Sequence, residues 1–167
     1  IGYVGSVESW FDWSLVAQVA MALPDVAIQI VGPAHDVPCT LPTNIRVVGR
    51  IPYEDVPAVM SSFDVGIIPF AQNEKLNAGI SPIKLYEYLA AGKPVVGTAL
   101  PEVDCLARQG IVRSATTHSE FITACRAALQ ESRDPGRVRA RRDYARANSW
   151  MARWTALEDA IRDASGC

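Results

Sequence analysis

Apolar positions along the chain fall into short runs bounded by turn residues: IGYV, VAIQIV, IRVV, VGIIPF and PVVGT, with a weaker run at GIVR. Runs of this length, flanked by Gly, Pro, Asp and Asn, predict buried strands. Between most of them the apolar residues recur at helical spacing. The predicted helices cover Leu15 to Leu23 after the first strand, Pro52 to Phe63 after the third, Ile83 to Ala91 after the fourth and a short Val103 to Ala107 after the fifth. The stretch GPAHDVPCTLPTN between the second and third strands carries three prolines and predicts a loop. From Thr117 onward the pattern is helical throughout. Strands alternating with helices imply a mostly parallel, doubly wound α/β sheet covered on both faces. Such sheets bind ligands outside the carboxyl ends of the strands where the strand order reverses, which in the common order lies between the first and fourth strands.

Both edges of that expected crevice can be read from the chain. The first strand ends at GSVES, and the fourth ends at PFAQNEKLNAGISP, which leads directly into SPIKLYEYLAAGKPVV. Ser81 suits a helix N-cap, Pro82 the first helical position, and Gly92 followed by Pro94 the exit. Lys84 is then the third helical residue, where a capping box would place Glu or Gln. Exposed N–H groups and the macrodipole already make a helix N-terminus positive, so a lysine there adds like charge to like. On an exposed helix the cost is a few tenths of a kcal/mol, which a side chain snorkelling into water tolerates. An anion such as a phosphate, held jointly by the N–H groups and the ammonium, explains the residue better, because Lys84 also falls beside the crevice that topology predicts.

Composition narrows the choice of ligand. A chain of 167 residues, 49% of them hydrophobic, suits one domain with a real core. A formal net charge of −2 and a pI near 5.7 argue against a general nucleic-acid binder, whereas anionic small molecules need only local positive charge. No apolar run is long enough to cross a bilayer, and no basic-then-apolar signal segment opens the chain. Cys39, Cys105, Cys125 and Cys167 form no C-x-x-C pair and have no nearby histidine, so neither a zinc site nor a disulfide framework is signalled and a reducing, cytoplasmic setting is expected. His35 and His118 have no second ligand at metal spacing and read as ordinary surface residues. The chain opens in mid-strand without an initiator methionine, as a fragment or excised domain would.

Three segments taken together resemble a known family: AGISPIKLYEYLAAGKPVVGTALPE, the preceding GRIPYEDVPAVMSSFDVGIIPF, and the opening IGYVGSVESWFDW. They are similar to the C-terminal, donor-binding half of a GT-B glycosyltransferase of the group 1, GT4-like kind. The resemblance implies a Rossmann-like domain over residues 1–147 and a C-terminal helix over 148–167 that returns toward an N-terminal GT-B domain of the same protein. It implies a nucleoside-diphosphate sugar as donor substrate, no cofactor and no metal, and transfer to an acceptor hydroxyl with retention of configuration. By the same resemblance Glu87 would hold the ribose hydroxyls, and an ionised carboxylate can accept from two at once. Backbone N–H groups around Gly79, Ile80 and Ser81 would cradle the diphosphate, with Gly5 and Ser6 on the first-strand side. Lys84 would neutralise the leaving phosphate, and the loop at Arg50 and Ile51 would seat the base through backbone contacts.

Two departures from the family pattern stand out. Gly79 occupies the place of a second glutamate eight positions before Glu87, and Ser6, Val7 and Glu8 stand where a first-loop arginine and lysine are common. Lys84 can supply the lost charge from another loop. Two further readings stay open: a GT-B-like sugar-nucleotide epimerase, with Glu8, Glu74 and Glu102 as its acid–base carboxylates, and a non-catalytic nucleotide-binding or association domain, favoured by the missing first-loop charges. Trp10, Phe11 and Trp13 at the crevice mouth suit a hydrophobic staple or contact with the N-terminal domain better than sugar stacking. Tyr86 and Tyr88 straddle Glu87, so at least one should face the core. The arginine-rich RDPGRVRARRDYAR reads as a solvated helix, with peripheral contact to an anionic inner-membrane surface as the alternative.

Overall fold

A computed structural model describes residues 1–71 and 81–165. Among the described residues six strands, β1 (Gly2–Val4), β2 (Ile28–Val31), β3 (Ile45–Gly49), β4 (Gly66–Ile68), β5 (Val95–Thr98) and β6 (Arg113–Ala115), form one sheet in the order β3-β2-β1-β4-β5-β6. Every pairing is parallel. Among the described residues the helices are α1 (Trp13–Ala22), α2 (Val56–Ser62), α3 (Ile83–Ala90), α4 (Pro101–Arg108), α5 (His118–Glu131), α6 (Pro135–Ala147) and α7 (Trp150–Ser165). α1 packs with α5, and α3 with α6. Right-handed crossovers that leave β1 and β4 in opposite directions set α1 and α3 on opposite faces of the sheet. The central strands β1, β4 and β5 are buried at every position, as coverage on both faces requires, whereas the edge strand β3 alternates between half-buried and exposed.

The predicted doubly wound sheet is observed, and its boundaries move in informative ways. The helix expected over 52–63 divides into a 3-10 turn at Tyr53–Asp55 and α2. The short helix expected at 103–107 is longer, starting at Pro101 with Glu102 and Asp104 in its first turn. Its start signals, a first-position proline followed by acidic residues, are visible in the sequence. The last strand lies at Arg113–Ala115 rather than over GIVR, because its pairing with β5 begins at Val96–Arg113.

Two tight packings fix the crevice floor. Gly66 in β4 lies under Tyr88 of α3, and a Cβ there would sit 2.6 Å from the ring. Gly32, with φ of +134°, brings the turn after β2 against the turn after β1, where a Cβ would lie 2.1 Å from the Gly5 carbonyl oxygen. Any side chain at either position would push apart the elements that border the β1–β4 junction. Tyr88 is the core-facing tyrosine. Its buried hydroxyl accepts from the Val4 amide at 2.8 Å, satisfying the last N–H of β1.

Candidate functional site

Where the strand order turns back, between the carboxyl ends of β1 and β4, lies a pocket of about 380 Å³. Gly5 and Ser6 line it from the β1 side, Ile68 and Phe70 from the β4 side, and Ser81 and Lys84 from the start of α3. Four residues from distant sequence positions that were expected to act together, Gly5, Ser6, Ser81 and Lys84, therefore share one wall-to-wall space. Tyr3 and Trp10 line it as well. The Tyr3 hydroxyl donates to the Ser6 carbonyl at 2.8 Å and fixes the turn, and burial pushes its phenol up to about 12.

The start of α3 differs from the sequence expectation. Pro82, not Ser81, is the N-cap residue, so Lys84 is the second helical residue rather than the third. The reason is a competing acceptor. The Ser81 hydroxyl donates to Glu102 Oε2 at 2.5 Å, and among the described residues no side chain caps the helix. Lys84 keeps its position as a cation in the first turn of α3. Its Nζ donates to Glu87 Oε2 at 2.6 Å, and both side chains are 31% exposed.

Glu87 itself is not among the described residues lining the β1–β4 pocket. It borders two neighbouring hollows, one of about 350 Å³ with Tyr53, Trp150 and Arg153 and one of about 460 Å³ with Met60 and Arg142. The Lys84–Glu87 pair thus bridges the crevice and the adjoining surface. Arg50 and Ile51 follow β3 and are not among the described residues lining the crevice pocket. Gly79 and Ile80, like Glu74, lie outside the described residues.

Glu102, a candidate acid–base carboxylate from the sequence, has an anchoring role that the sequence did not signal. Its Oε1 accepts from the Tyr86 hydroxyl at 2.6 Å while Oε2 takes Ser81, and Arg153 of α7 lies 4.0 Å from Oε1. The same guanidinium sits 4.4 Å above the Tyr86 ring. Burial pushes the Tyr86 phenol up to about 12, the Glu102 hydrogen bond and charge add to the rise, and Arg153 opposes it. A carboxylate held by two hydroxyls and an arginine is a structural anchor, which counts against its use as the free acid or base of an epimerase. No local pattern could reveal this, since Ser81 and Arg153 reach Glu102 from separate elements.

Other expectations resolve locally. Phe11 is buried, edge-to-face with Tyr3 and Trp13, while Trp10 and Trp13 are only partly covered. His35 is a surface residue, 3.6 Å from Glu8. His118 is not an ordinary surface residue: its Nε2 lies 3.1 Å from Oδ2 of Asp12, whose other oxygen caps α1 by accepting from the Leu15 amide. The arginine-rich helix α6 is likewise not solvated all round, because Arg141 is buried and paired with Glu131 at 2.9 Å. Cys39, Cys105 and Cys125 are free thiols, and burial pushes Cys125 up to about 12. Among the described residues no group of His, Cys, Asp or Glu is arranged to hold a metal ion, and no helix is long and apolar enough to cross a membrane.

A parallel sheet in this order, with a lysine-edged pocket over its switch point, defines a Rossmann-like α/β domain of ligand-binding design. The chain belongs to the family of glycosyl transferases group 1, whose sequence model matches residues 1–131. It is 31% identical over 159 residues to a Bacillus subtilis (strain 168) protein named "Putative teichuronic acid biosynthesis glycosyltransferase TuaH", covering 90% of this chain and 40% of that protein. Among solved structures, Anabaena HepE in complex with UDP superposes with a TM-score of 0.72 at 14% identity, covering 96% of this chain and 48% of that one. WaaG, a glycosyltransferase involved in lipopolysaccharide biosynthesis, superposes with a TM-score of 0.65 at 21% identity over 86% of this chain and 41% of that one. At these identities the structural likeness concerns the fold, that of one half of a GT-B glycosyltransferase. The chain spans 40% of the length of the curated relative it matches.

Proposed function

We propose that this chain is the donor-binding half of a glycosyltransferase that moves a sugar from a nucleoside diphosphate to an acceptor hydroxyl, with retention and without a metal. The observation that carries the reading is the pocket at the β1–β4 junction, which Gly5, Ser6, Ser81 and Lys84 line together. As the bond between the anomeric carbon and the diphosphate breaks, its electron pair passes to the phosphate oxygen. The Lys84 ammonium and the helix N–H groups, brought to that oxygen, favour the charge as it develops and need no metal for it. The diphosphate takes over Lys84 from Glu87, and the released carboxylate becomes available to the ribose hydroxyls. Gly79 and Ile80 contribute amides to the diphosphate, and Arg50 and Ile51 after β3 seat the base through backbone contacts.

UDP in the HepE structure supports uracil as the first base to try, and the name of the Bacillus relative, which refers to teichuronic acid biosynthesis, supports a polysaccharide as the product class. The protein is proposed to be cytoplasmic. The exposed side chains of Arg133, Arg139 and Arg146 are compatible with peripheral contact to an anionic membrane surface. The test is calorimetric titration with UDP, GDP and ADP. One of the three is expected to bind; no binding by any of them contradicts the reading. Assay with a panel of sugar nucleotides and acceptors then separates transfer from isomerisation, and transfer is the expected outcome.

A further inference from the structure

Local sequence rules make Ser81 a helix cap, yet its hydroxyl is turned away and given to Glu102 Oε2 at 2.5 Å. A serine acting as N-cap would accept from the N–H three residues on, that of Lys84, and so close the helix end with its own oxygen. In its observed role as donor it leaves the first-turn N–H groups of α3 without a side-chain cap among the described residues. Glu102 is held ready for this. Tyr86 donates to its other oxygen at 2.6 Å, and Arg153, stacked over Tyr86, approaches the same oxygen at 4.0 Å. Both flanking groups fix the carboxylate's orientation, so Oε2 points at Ser81.

We propose that Glu102 is a positioning residue that keeps the N-terminus of α3 open for the donor diphosphate by sequestering the Ser81 hydroxyl. The inference rests on the donor-site reading above and adds to it an autocapping competitor and the residue that suppresses it. Without the carboxylate, Ser81 is free to rotate and cap α3, and its oxygen then occupies the N–H groups that a phosphate oxygen would use. Competition between cap and ligand predicts a particular pattern among variants. Loss of Glu102 should weaken binding only while Ser81 retains its hydroxyl.

The experiment uses calorimetry with whichever of UDP, GDP and ADP the parent binds, together with the matching nucleoside. Glu102→Ala is expected to weaken the diphosphate about fivefold or more and to leave the nucleoside within about twofold of the parent. Ser81→Ala added to Glu102→Ala is expected to recover most of that loss, a non-additivity characteristic of coupled groups. Glu102→Met, which removes both acceptor oxygens at similar side-chain length, provides a second variant if the alanine form does not fold, and Ser81→Ala is expected to rescue it likewise. A general loss of packing around Tyr86 and Arg153 would weaken nucleoside and diphosphate together and would not be rescued. Either that result, or a Glu102 variant that binds diphosphate like the parent, overturns the inference and leaves the donor site standing. A parent that binds none of the three diphosphates overturns the donor-site reading first, and this inference with it.

Discussion

Tyr88 illustrates how one side chain holds the crevice in place. Its ring covers Gly66 and its hydroxyl satisfies the Val4 amide, tying α3 to both strands that border the pocket. Tyr88→Phe keeps the ring and orphans a buried N–H, so a loss of about 1–3 kcal/mol in denaturant unfolding is expected. Tyr3 and Tyr86 add a pH dependence with a definite sign. Both phenols rise from 10.0 to about 12 on folding, so the protonated form is the one the fold favours. Their contribution to stability is full below about 10 and is lost as pH rises through about 12. Unfolding curves between pH 9 and 12 should therefore fall in midpoint at the upper end, and Tyr86→Phe should flatten that fall. At this scale the sequence exposed Lys84, because a cation in the first turn of a helix conflicts with a local rule. It said that Tyr86 or Tyr88 must face inward without saying which, and it offered Glu102 only as a candidate acid–base carboxylate, because the partners that anchor it come from other elements.

Helices α5 and α6 and strand β6 meet at a single carboxylate. Glu131 accepts from Arg113 and Arg141 at 2.9 Å and pairs with Arg137 at 3.0 Å. Arg141 is 4% exposed, so it depends on that carboxylate for compensation. Glu131→Ala leaves a buried guanidinium unpaired and is expected to cost about 3–5 kcal/mol in chemical denaturation, far more than loss of an exposed pair such as Arg146–Asp143. The run of arginines in α6 read as a solvated face because charge pattern alone does not reveal which residue meets a partner on another helix. Helix existence was legible from apolar spacing, whereas helix ends depended on long-range contacts. Ser81 loses its capping role to Glu102, and the segment 52–63 breaks into a 3-10 turn and a shorter helix.

Strand–helix alternation was sufficient to place the reversal point over which the β1–β4 pocket lies, since a doubly wound sheet has one such point and right-handed crossovers leave few ways to build it. Family membership and the observed order β3-β2-β1-β4-β5-β6 agree with that reading. The departure of Glu87 from the pocket wall was not legible, because one turn of α3 separates it from Lys84 and the sheet decides which face looks inward. α7 exposes Trp150, Met151, Trp154 and Leu157, a face consistent with the proposed return toward a second GT-B domain. The central claim is that a nucleotide diphosphate binds across Lys84 and Glu87, and its most direct measurement is calorimetric titration of the parent, Lys84→Ala and Glu87→Ala with the preferred diphosphate and its nucleoside. Lys84→Ala should weaken the diphosphate by at least about tenfold, in line with loss of a charge-assisted contact, while sparing the nucleoside. Glu87→Ala should weaken both. Variants that bind both ligands like the parent would contradict the account and reduce Lys84–Glu87 to a surface ion pair.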